Sequence, residues 1–353
     1  MFNIDNILRK NIKELVPYSS ARDEFKGEAS VFLDANENSY GSPLNRNYNR
    51  YPDPLQWKIK NRIAEIKGVP AKNIFLGNGS DEAIDILFRA FCNPGVDNVI
   101  TLPPTYGMYE VSANINDVRL RKVPLRPDYQ LNMEAIAEAI DEHTRIIFIC
   151  SPNNPTGNSI DRQDIETILA NFNGLVVIDE AYINYSRQKT FIQELTEYSN
   201  LVILQTLSKA WGLAGLRVGM AFASEEIIEI FNKVKPPYNI NEASQELALE
   251  ALQNVDQVNS WIKETVAERE KLITELVQFP SVIKIYPSDA NFILVKTSNP
   301  GGIYRHLVNL GIIVRDRSKV ELCEGSLRIT IGTPQENIEL LNALKTFQES
   351  DKI

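Results

Sequence analysis

The chain has 353 residues, of which 43% are hydrophobic and 24% charged, a composition typical of a globular protein with a substantial buried core. Its net charge of −9 and sequence pI near 5.1 argue against binding to nucleic acid or to an anionic membrane surface, because both repel an acidic protein. We therefore expect small molecules as partners, with no nucleic acid and no membrane.

The first segment, MFNIDNILRKNIKEL, mixes charged and apolar residues and lacks the apolar run and cleavage site of a secretory signal. No stretch is long and apolar enough to cross a bilayer. Cys92, Cys150 and Cys323 are odd in number and widely separated, which is typical of reduced thiols, so we expect a cytoplasmic protein. With only two isolated histidines, the sequence does not predict a metal site.

Residues 1–39 are predicted to form an N-terminal arm that has an amphipathic start and a strand-like segment, VFLDANEN. After the turn NRYPDP, a helix is predicted from Leu55 to Lys67, where Gly68 ends it. A strand then runs through NIFLGNG into a helix that Ser80 can cap. The start of such a helix presents free backbone N–H groups to an anion, although an ordinary capped helix explains this segment alone equally well.

Residues 99–223 alternate between apolar strands and helices, which predicts a mainly parallel sheet with helices on both faces. A helix from Glu225 to Val234 follows, and Pro236 ends it. The remaining chain contains a long helical region, about 243–279, and the strands NFILV, GIIVRD and SLRITIG. We expect a large α/β domain over residues 40–235, and a smaller α+β domain formed by the arm, 1–39, together with 236–353.

Polar groups follow three of these strands: Asn154 after RIIFIC, Asp179 at the end of LVVID, and Lys209 after LVILQT. Taken singly, each is more often a loop, a cap or a solvated strand end. In an open α/β sheet, however, the carboxyl ends of the strands converge on the ligand crevice. An aldehyde cofactor makes a lysine amine useful as a nucleophile, and nearby hydroxyls and an arginine suit its phosphate.

Pyridoxal phosphate has both an aldehyde and a phosphate. The order Asn154, Asp179, Lys209, Arg217 resembles that of fold-type I pyridoxal-phosphate enzymes. An aspartate beside the pyridine nitrogen keeps that nitrogen protonated and makes the ring an electron sink. We therefore predict that Lys209 anchors this cofactor covalently and that Asp179 is its electronic partner.

Eight motifs extend the resemblance over nearly the whole chain: LDANEN, RYPDP, GNGSDE, PPTYGMY, SPNNPTG, VVIDEAY, TLSKAWGLAGLRVG and SLRITIG. Their order resembles that of the histidinol-phosphate aminotransferases. The resemblance implies a large domain with a mainly parallel, seven-stranded type of sheet, a smaller α+β domain and a homodimer. It also implies exchange of an amino group between L-glutamate/2-oxoglutarate and imidazole-acetol phosphate/L-histidinol phosphate in histidine biosynthesis.

The resemblance assigns a role to each matching residue. Lys209 would form the Schiff base and move the proton between the substrate Cα and the cofactor, and Tyr182 and Asn154 would hydrogen-bond the phenolic oxygen. Tyr106 would stack on the ring, the alternative being a core aromatic. The phosphate would be surrounded by Ser80, Asp81, Thr206, Ser208 and Arg217, with Tyr51 reaching it from the neighbouring subunit.

Substrate recognition would fall to Arg328, Arg315, Tyr18 and Asn154. Arg328 lies in an apolar strand, where an unpaired charge is costly unless it meets an anion. Arg315 would be a second phosphate ligand, and pairing with Asp316 or Glu321 is the alternative. Tyr18 is the third contact.

Three other functions remain open at this point. A threonine-phosphate decarboxylase or an aromatic amino-acid aminotransferase would keep the fold and the cofactor. A non-catalytic binding protein would keep only the fold.

Overall fold

The chain folds around two β-sheets in a computed structural model that describes residues 2–18 and 30–350. Residues 19–29 of the predicted arm lie outside the described residues. The strands of the larger sheet are β1 (Ile74–Asn78), β2 (Asn98–Thr101), β3 (Arg119–Lys122), β4 (Thr144–Cys150), β5 (Leu175–Asp179), β6 (Leu201–Thr206) and β7 (Val218–Ala223).

The larger sheet has seven strands in the order β1-β7-β6-β5-β4-β2-β3. Its neighbours are parallel except that β7 runs antiparallel to both β1 and β6, so the predicted mainly parallel sheet is confirmed. The carboxyl ends of β4, β5 and β6 therefore lie at one edge. The reversed β7 brings its first residues to the same edge, where Gly219 lies opposite Thr206.

Helices cover both faces of this sheet. They are α1 (Lys10–Lys13), α2 (Trp57–Lys67), α3 (Ser80–Phe91), α4 (Met108–Ile115), α5 (Met133–Ala139), α6 (Arg162–Asn171) and α7 (Glu225–Val234). Alternate residues of β4 pack on opposite faces of the sheet, because successive side chains of a strand point in opposite directions. Ile147 packs with α2 in one apolar cluster, and Phe148 packs with α3 and α7 in the other.

A second sheet organises the C-terminal part. Its strands are β8 (Val282–Ile285), β9 (Phe292–Thr297), β10 (Arg315–Asp316) and β11 (Ser326–Thr330), in the antiparallel order β10-β11-β9-β8. The helices here are α8 (Glu242–Ala251), α9 (Val255–Leu276), α10 (Pro300–Asn309) and α11 (Pro334–Ser350). Among the helices of residues 2–18 and 30–350, none combines the length and apolarity that a membrane span requires.

The packing of the N-terminal residues differs from the expectation. Ile4, Ile7 and Ile12 are buried in the cluster that contains α3 and α7, and the Arg9 N–H donates to the Ala90 carbonyl at 3.0 Å. The start of the arm thus packs on the large domain, because its apolar stripe meets apolar residues of α3 there. The predicted strand VFLDANEN is also wrong: residues 31–38 form no strand.

Helix α8, which lies beyond residue 235, packs against α2 of the large sheet. Ala248 in the last turn of α8 and Leu252 just after its end are buried in the cluster that contains α2. The long helical region predicted over 243–279 is interrupted between α8 and α9. The chain therefore enters the small domain along α9, and Pro236 ends only a helix.

Candidate active site

A cavity opens at the edge of the large sheet where β4, β5 and β6 end. Ten of the residues predicted to bind the cofactor line it: Ser80, Asp81, Tyr106, Asn154, Asp179, Tyr182, Thr206, Ser208, Lys209 and Arg217. They come from several strand ends and from the start of α3. The fold thus brings these ten side chains together at one edge of the sheet.

One end of the cavity is formed by the turn between β1 and α3. Gly79 has φ +72° and precedes Ser80, the first residue of α3, so the unpaired N–H groups of the helix start face the cavity end. The Gly79 N–H donates to the Arg217 carbonyl at 2.7 Å. A Cβ on Gly79 would lie 2.7 Å from the flexible end of the Arg217 side chain, which can shift, so the φ of +72° is what favours glycine at this position.

Arg217 and Tyr106 are both tied to Asp81 on the first turn of α3. An Arg217 guanidinium nitrogen lies 3.5 Å from Asp81 Oδ2, and the Tyr106 hydroxyl donates to Asp81 Oδ1 at 3.0 Å. On the opposite side, the Ser208 N–H donates to Thr206 Oγ1 at 3.0 Å. This end of the cavity is rich in N–H and O–H donors with one guanidinium, a combination that suits a phosphate.

The other end of the cavity is acidic. Asp179 is only 3% exposed; its Oδ2 accepts a hydrogen bond from the Tyr109 hydroxyl at 2.8 Å, and its Oδ1 accepts one from the Ala181 N–H at 3.1 Å. Burial raises the pKa of Asp179 above its usual value, while these two hydrogen bonds act to lower it. A cation placed beside this carboxylate would have its charge stabilised.

Lys209 lines the same cavity, with its Nζ 5.5 Å from the centre of the Tyr182 ring. The residue as a whole is exposed to the open cavity, yet enough protein surrounds the ammonium to lower its pKa. Desolvation is the first cause, and the positive charge of Arg328 is the second. A lowered pKa makes the neutral, nucleophilic amine easier to form.

Arg328 connects the small domain to this site. Its guanidinium donates to Asn154 Oδ1 and lies 5.2 Å from the centre of the Phe292 ring. Arg315 of β10 is paired in register with Arg328, so the two share one face of the sheet. Across residues 2–18 and 30–350, no acid lies within ion-pair distance of either arginine, and the alternative pairing of Arg315 with Asp316 or Glu321 is not found.

Like Arg328 and Arg315, the predicted site residues Tyr51 and Tyr18 do not line the cavity of the single chain. Tyr51 is half exposed and stacks on Tyr238, with ring centres 4.5 Å apart. Tyr18 is 72% exposed. The site therefore lacks both side chains unless they are supplied by another subunit or by a different position of the arm.

The sequence did not single out two residues that shape the site. Tyr109 supports Asp179 from outside the cavity, and Gly219 lets β7 approach the turn before α3 closely. Tyr109 follows Tyr106 by three positions in PPTYGMY, so the motif that indicated Tyr106 also contains Tyr109. The need for Gly219 is visible only once β7 is packed against the turn.

Comparison with known proteins agrees with this geometry. A family model described as aminotransferase class I and II matches residues 29–344. A histidinol-phosphate aminotransferase of Parabacteroides distasonis is 56% identical over 348 residues, which cover 99% of this chain and 100% of the relative. The chain belongs to the histidinol-phosphate aminotransferase family.

Solved structures of histidinol-phosphate aminotransferases share the fold. The protein from Clostridium acetobutylicum matches with a TM-score of 0.79 at 24% identity, over 86% of this chain and 92% of that one. The protein from Sinorhizobium meliloti, solved in complex with pyridoxal-5′-phosphate, matches with a TM-score of 0.78 at 22% identity, over 90% of each chain. The predicted fold class is thereby confirmed.

Membership of the histidinol-phosphate aminotransferase family also confirms the expectation of a transaminase that depends on pyridoxal phosphate. The high identity to a histidinol-phosphate aminotransferase over the full length favours this function over an aromatic amino-acid aminotransferase, a threonine-phosphate decarboxylase or a non-catalytic binding protein.

Proposed function

We propose that this chain exchanges an amino group between L-glutamate/2-oxoglutarate and imidazole-acetol phosphate/L-histidinol phosphate, using pyridoxal phosphate held in the cavity. One observation carries the proposal: Lys209 lines the same cavity as a donor-rich cradle and a buried carboxylate. The three free, buried cysteines support a cytoplasmic location for this reaction.

The residues present fit the cofactor at both ends. The start of α3, Ser208 and Arg217 would hold the phosphate, and Asp179 would face the ring nitrogen. Tyr106 would lie against the ring, while Tyr182 and Asn154 would reach the phenolic oxygen. When bound, pyridoxal phosphate supplies a carbonyl that captures amines and a ring that accepts the electron pair left at the substrate Cα.

Lys209 has two tasks in this arrangement. Its Nζ would hold the cofactor, and once free, the same nitrogen would take and return the proton of the substrate Cα. The lowered pKa of Lys209 supports both tasks, because both need the neutral amine.

Arg328 is the proposed anchor for substrate anions. It is fixed by Asn154 at the cavity and has no acid partner among the described residues. Its planar guanidinium can hold the carboxylate of glutamate in one half-reaction and the phosphate of histidinol phosphate in the other. Arg315, beside it in register, adds positive charge for the phosphate, and Tyr18 is the third proposed contact.

A homodimer would complete the site. The segment 31–57 exposes large apolar side chains in the single chain: Leu33, Tyr40, Leu44, Tyr51 and Trp57. Exposed apolar groups in such number favour a subunit interface. We propose that Tyr51 crosses this interface and donates to the cofactor phosphate of the neighbouring subunit.

The test is a half-reaction experiment on the purified enzyme saturated with pyridoxal phosphate. Histidinol phosphate, glutamate and phenylalanine are mixed with it separately, and the cofactor spectrum is followed in time. We expect rapid conversion by histidinol phosphate and glutamate and slow conversion by phenylalanine. Equal or faster conversion by phenylalanine would overturn the substrate assignment.

Two controls accompany this experiment. Lys209→Ala should abolish conversion. Lys284→Ala, which removes a lysine of β8 that lies over the Tyr286 ring, should not. Reduction with borohydride followed by peptide mapping should place the cofactor on Lys209 alone. A label on another lysine would contradict the assignment.

A further inference from the structure

Tyr109 lies behind the acidic end of the cavity, in the first turn of α4. Its side chain is completely buried, and its hydroxyl donates to Asp179 Oδ2 at 2.8 Å. Tyr109 does not line the cavity itself. Its one polar atom is directed at the carboxylate that would face the ring nitrogen.

The surrounding core holds the Tyr109 ring in place. The ring stacks on Phe148 with centres 4.7 Å apart and an interplanar angle of 15°, and Phe148 stacks in turn on Phe88 at 5.5 Å. The edge of Tyr106 meets the same ring at 5.6 Å and 86°. Because close-packed aromatic side chains have few alternative rotamers, the hydroxyl cannot turn away from Asp179 without disrupting the core.

Asp179 depends on few partners for its charge. In the part of the chain that the structure describes, no lysine or arginine lies within ion-pair distance of it, and its hydrogen-bond donors are Tyr109 and the Ala181 N–H. Asp81 of α3 and Lys209 also influence this carboxyl, with opposite signs. A buried carboxylate with so little compensation is costly to ionise, and a donor hydrogen bond selectively stabilises the ionised form.

Tyr109 is a donor throughout the working pH range. Burial, the charge of Asp179 and the neighbouring Cys150 raise the pKa of Tyr109 well above its usual value, so the phenol keeps its proton. The hydrogen bond therefore always runs from Tyr109 to Asp179. Each carboxylate oxygen of Asp179 keeps a second lone pair that can accept a hydrogen bond from a group in the cavity.

We propose that Tyr109 is a positioning residue that keeps Asp179 ionised and orients it, so that the proton between Asp179 and the cofactor resides on the ring nitrogen. This inference rests on the proposed function, which places Asp179 beside that nitrogen. Without the Tyr109 hydroxyl, the carboxyl becomes more basic and the proton shifts from the ring toward Asp179. The ring then accepts electrons less well.

The direct measurement is the 15N NMR resonance of the ring nitrogen in enzyme loaded with labelled pyridoxal phosphate. Tyr109→Phe keeps the stacked ring and removes only the hydroxyl. Its matched control is Tyr129→Phe, which removes another buried hydroxyl, one that donates to the Leu322 carbonyl at 2.7 Å. We expect the resonance to move toward the unprotonated position in Tyr109→Phe and to stay at the wild-type position in Tyr129→Phe.

The same variant should lower kcat by about tenfold with little change in KM for either substrate, the effect of one hydrogen bond to a charged group. A wild-type ring-nitrogen resonance in Tyr109→Phe would overturn the inference, whatever the activity. A second comparison sets Asp179→Asn against Asp179→Asn/Tyr109→Phe, because Asp179→Asn leaves no carboxylate for the hydroxyl to support. Equal kcat in these two supports the inference, and a further tenfold loss in the double variant contradicts it.

Asp179→Asn also separates this inference from the function on which it rests. If that variant leaves the ring-nitrogen resonance unchanged, Asp179 does not face the nitrogen and the proposed site itself is wrong. If Asp179→Asn moves the resonance and Tyr109→Phe does not, only the role of Tyr109 is refuted.

Discussion

Gly219, at the start of β7, packs directly against the backbone of Ser80, the first residue of α3. A Cβ on Gly219 would lie 2.1 Å from the Ser80 backbone nitrogen and 2.1 Å from the Gly79 carbonyl carbon. Backbone atoms cannot move aside as a flexible side chain can, so the absence of a side chain at 219 is what allows the helix start to reach the cavity.

Gly219→Ala should therefore displace the turn that would hold the cofactor phosphate. We expect a loss of about 1–3 kcal/mol in stability from overpacking, and clearly weaker binding of pyridoxal phosphate. Gly215→Ala is the matched control, because a Cβ there meets nothing within 4 Å. Thermal unfolding and titration of cofactor absorbance measure both effects, and equal behaviour of the two variants would contradict the role of Gly219.

Arg328→Ala should weaken both half-reactions. Loss of a hydrogen-bonded ion pair with the substrate anion predicts a fall in kcat/KM of about 10- to 100-fold for glutamate and for histidinol phosphate. The cofactor should stay bound, because Arg328 lies outside the proposed phosphate cradle. Arg305→Ala, which removes an exposed arginine of α10, serves as control. Loss of cofactor colour in Arg328→Ala would mean that the residue has been misplaced.

Subunit mixing tests whether Tyr51 acts across an interface. Tyr51→Ala and Lys209→Ala homodimers should each be nearly inactive. When the two are unfolded and refolded together, a mixed dimer contains one site with both Lys209 and Tyr51, provided that they come from different subunits. Recovered activity, up to about a quarter of the wild-type level from random pairing, is the expected result. If mass spectrometry detects mixed dimers but activity does not recover, Tyr51 belongs to the site of its own subunit.

The buried Asp179 should make protein stripped of cofactor less stable as the pH rises. Its folded-state pKa is raised by burial, so its contribution to stability is fully present below the ordinary aspartate pKa, near 3.9, and is lost as pH rises through the raised value. Asp179→Asn removes this titration and keeps an oxygen that can accept from Tyr109. We expect the melting temperature of the variant to exceed that of the wild type at pH 8 and the two to converge near pH 4.

Such a gain in stability would accompany a loss of function, because the charge that destabilises the stripped protein is the one that the proposed cofactor site uses. A wild-type melting temperature that stays at or above that of Asp179→Asn at pH 8 would show that Tyr109 and Ala181 fully compensate the buried charge.

Much of the candidate site could be predicted from the sequence because its residues follow strands. Asn154, Asp179 and Lys209 each come at or just after the end of a parallel strand, and parallel strands end at one edge. Strand periodicity and the position of each motif along the chain were therefore sufficient to bring them together. Arg217 followed from its distance to Lys209 within one motif.

Contacts between distant segments were not predictable in the same way. The bond from Tyr109 to Asp179 joins residues 70 positions apart and depends on how α4 is rotated against β5. The packing of the first residues of the arm on α3 and α7 could not be predicted, because an amphipathic helix shows that it has an apolar face but not which surface covers it. For the same reason the packing of α8 against α2 could not be predicted.

The sequence by itself therefore identified the reacting groups of the short motifs: the amine of Lys209, the carboxylate of Asp179 and the guanidinium of Arg217. It also predicted that these groups follow the carboxyl ends of strands. Folding added the distances and the burial that turn those groups into a site, including the clearance at Gly219 and the desolvation of Asp179. Periodicity reports local geometry along one chain segment, whereas desolvation and clearance arise from segments that meet only after the chain has packed.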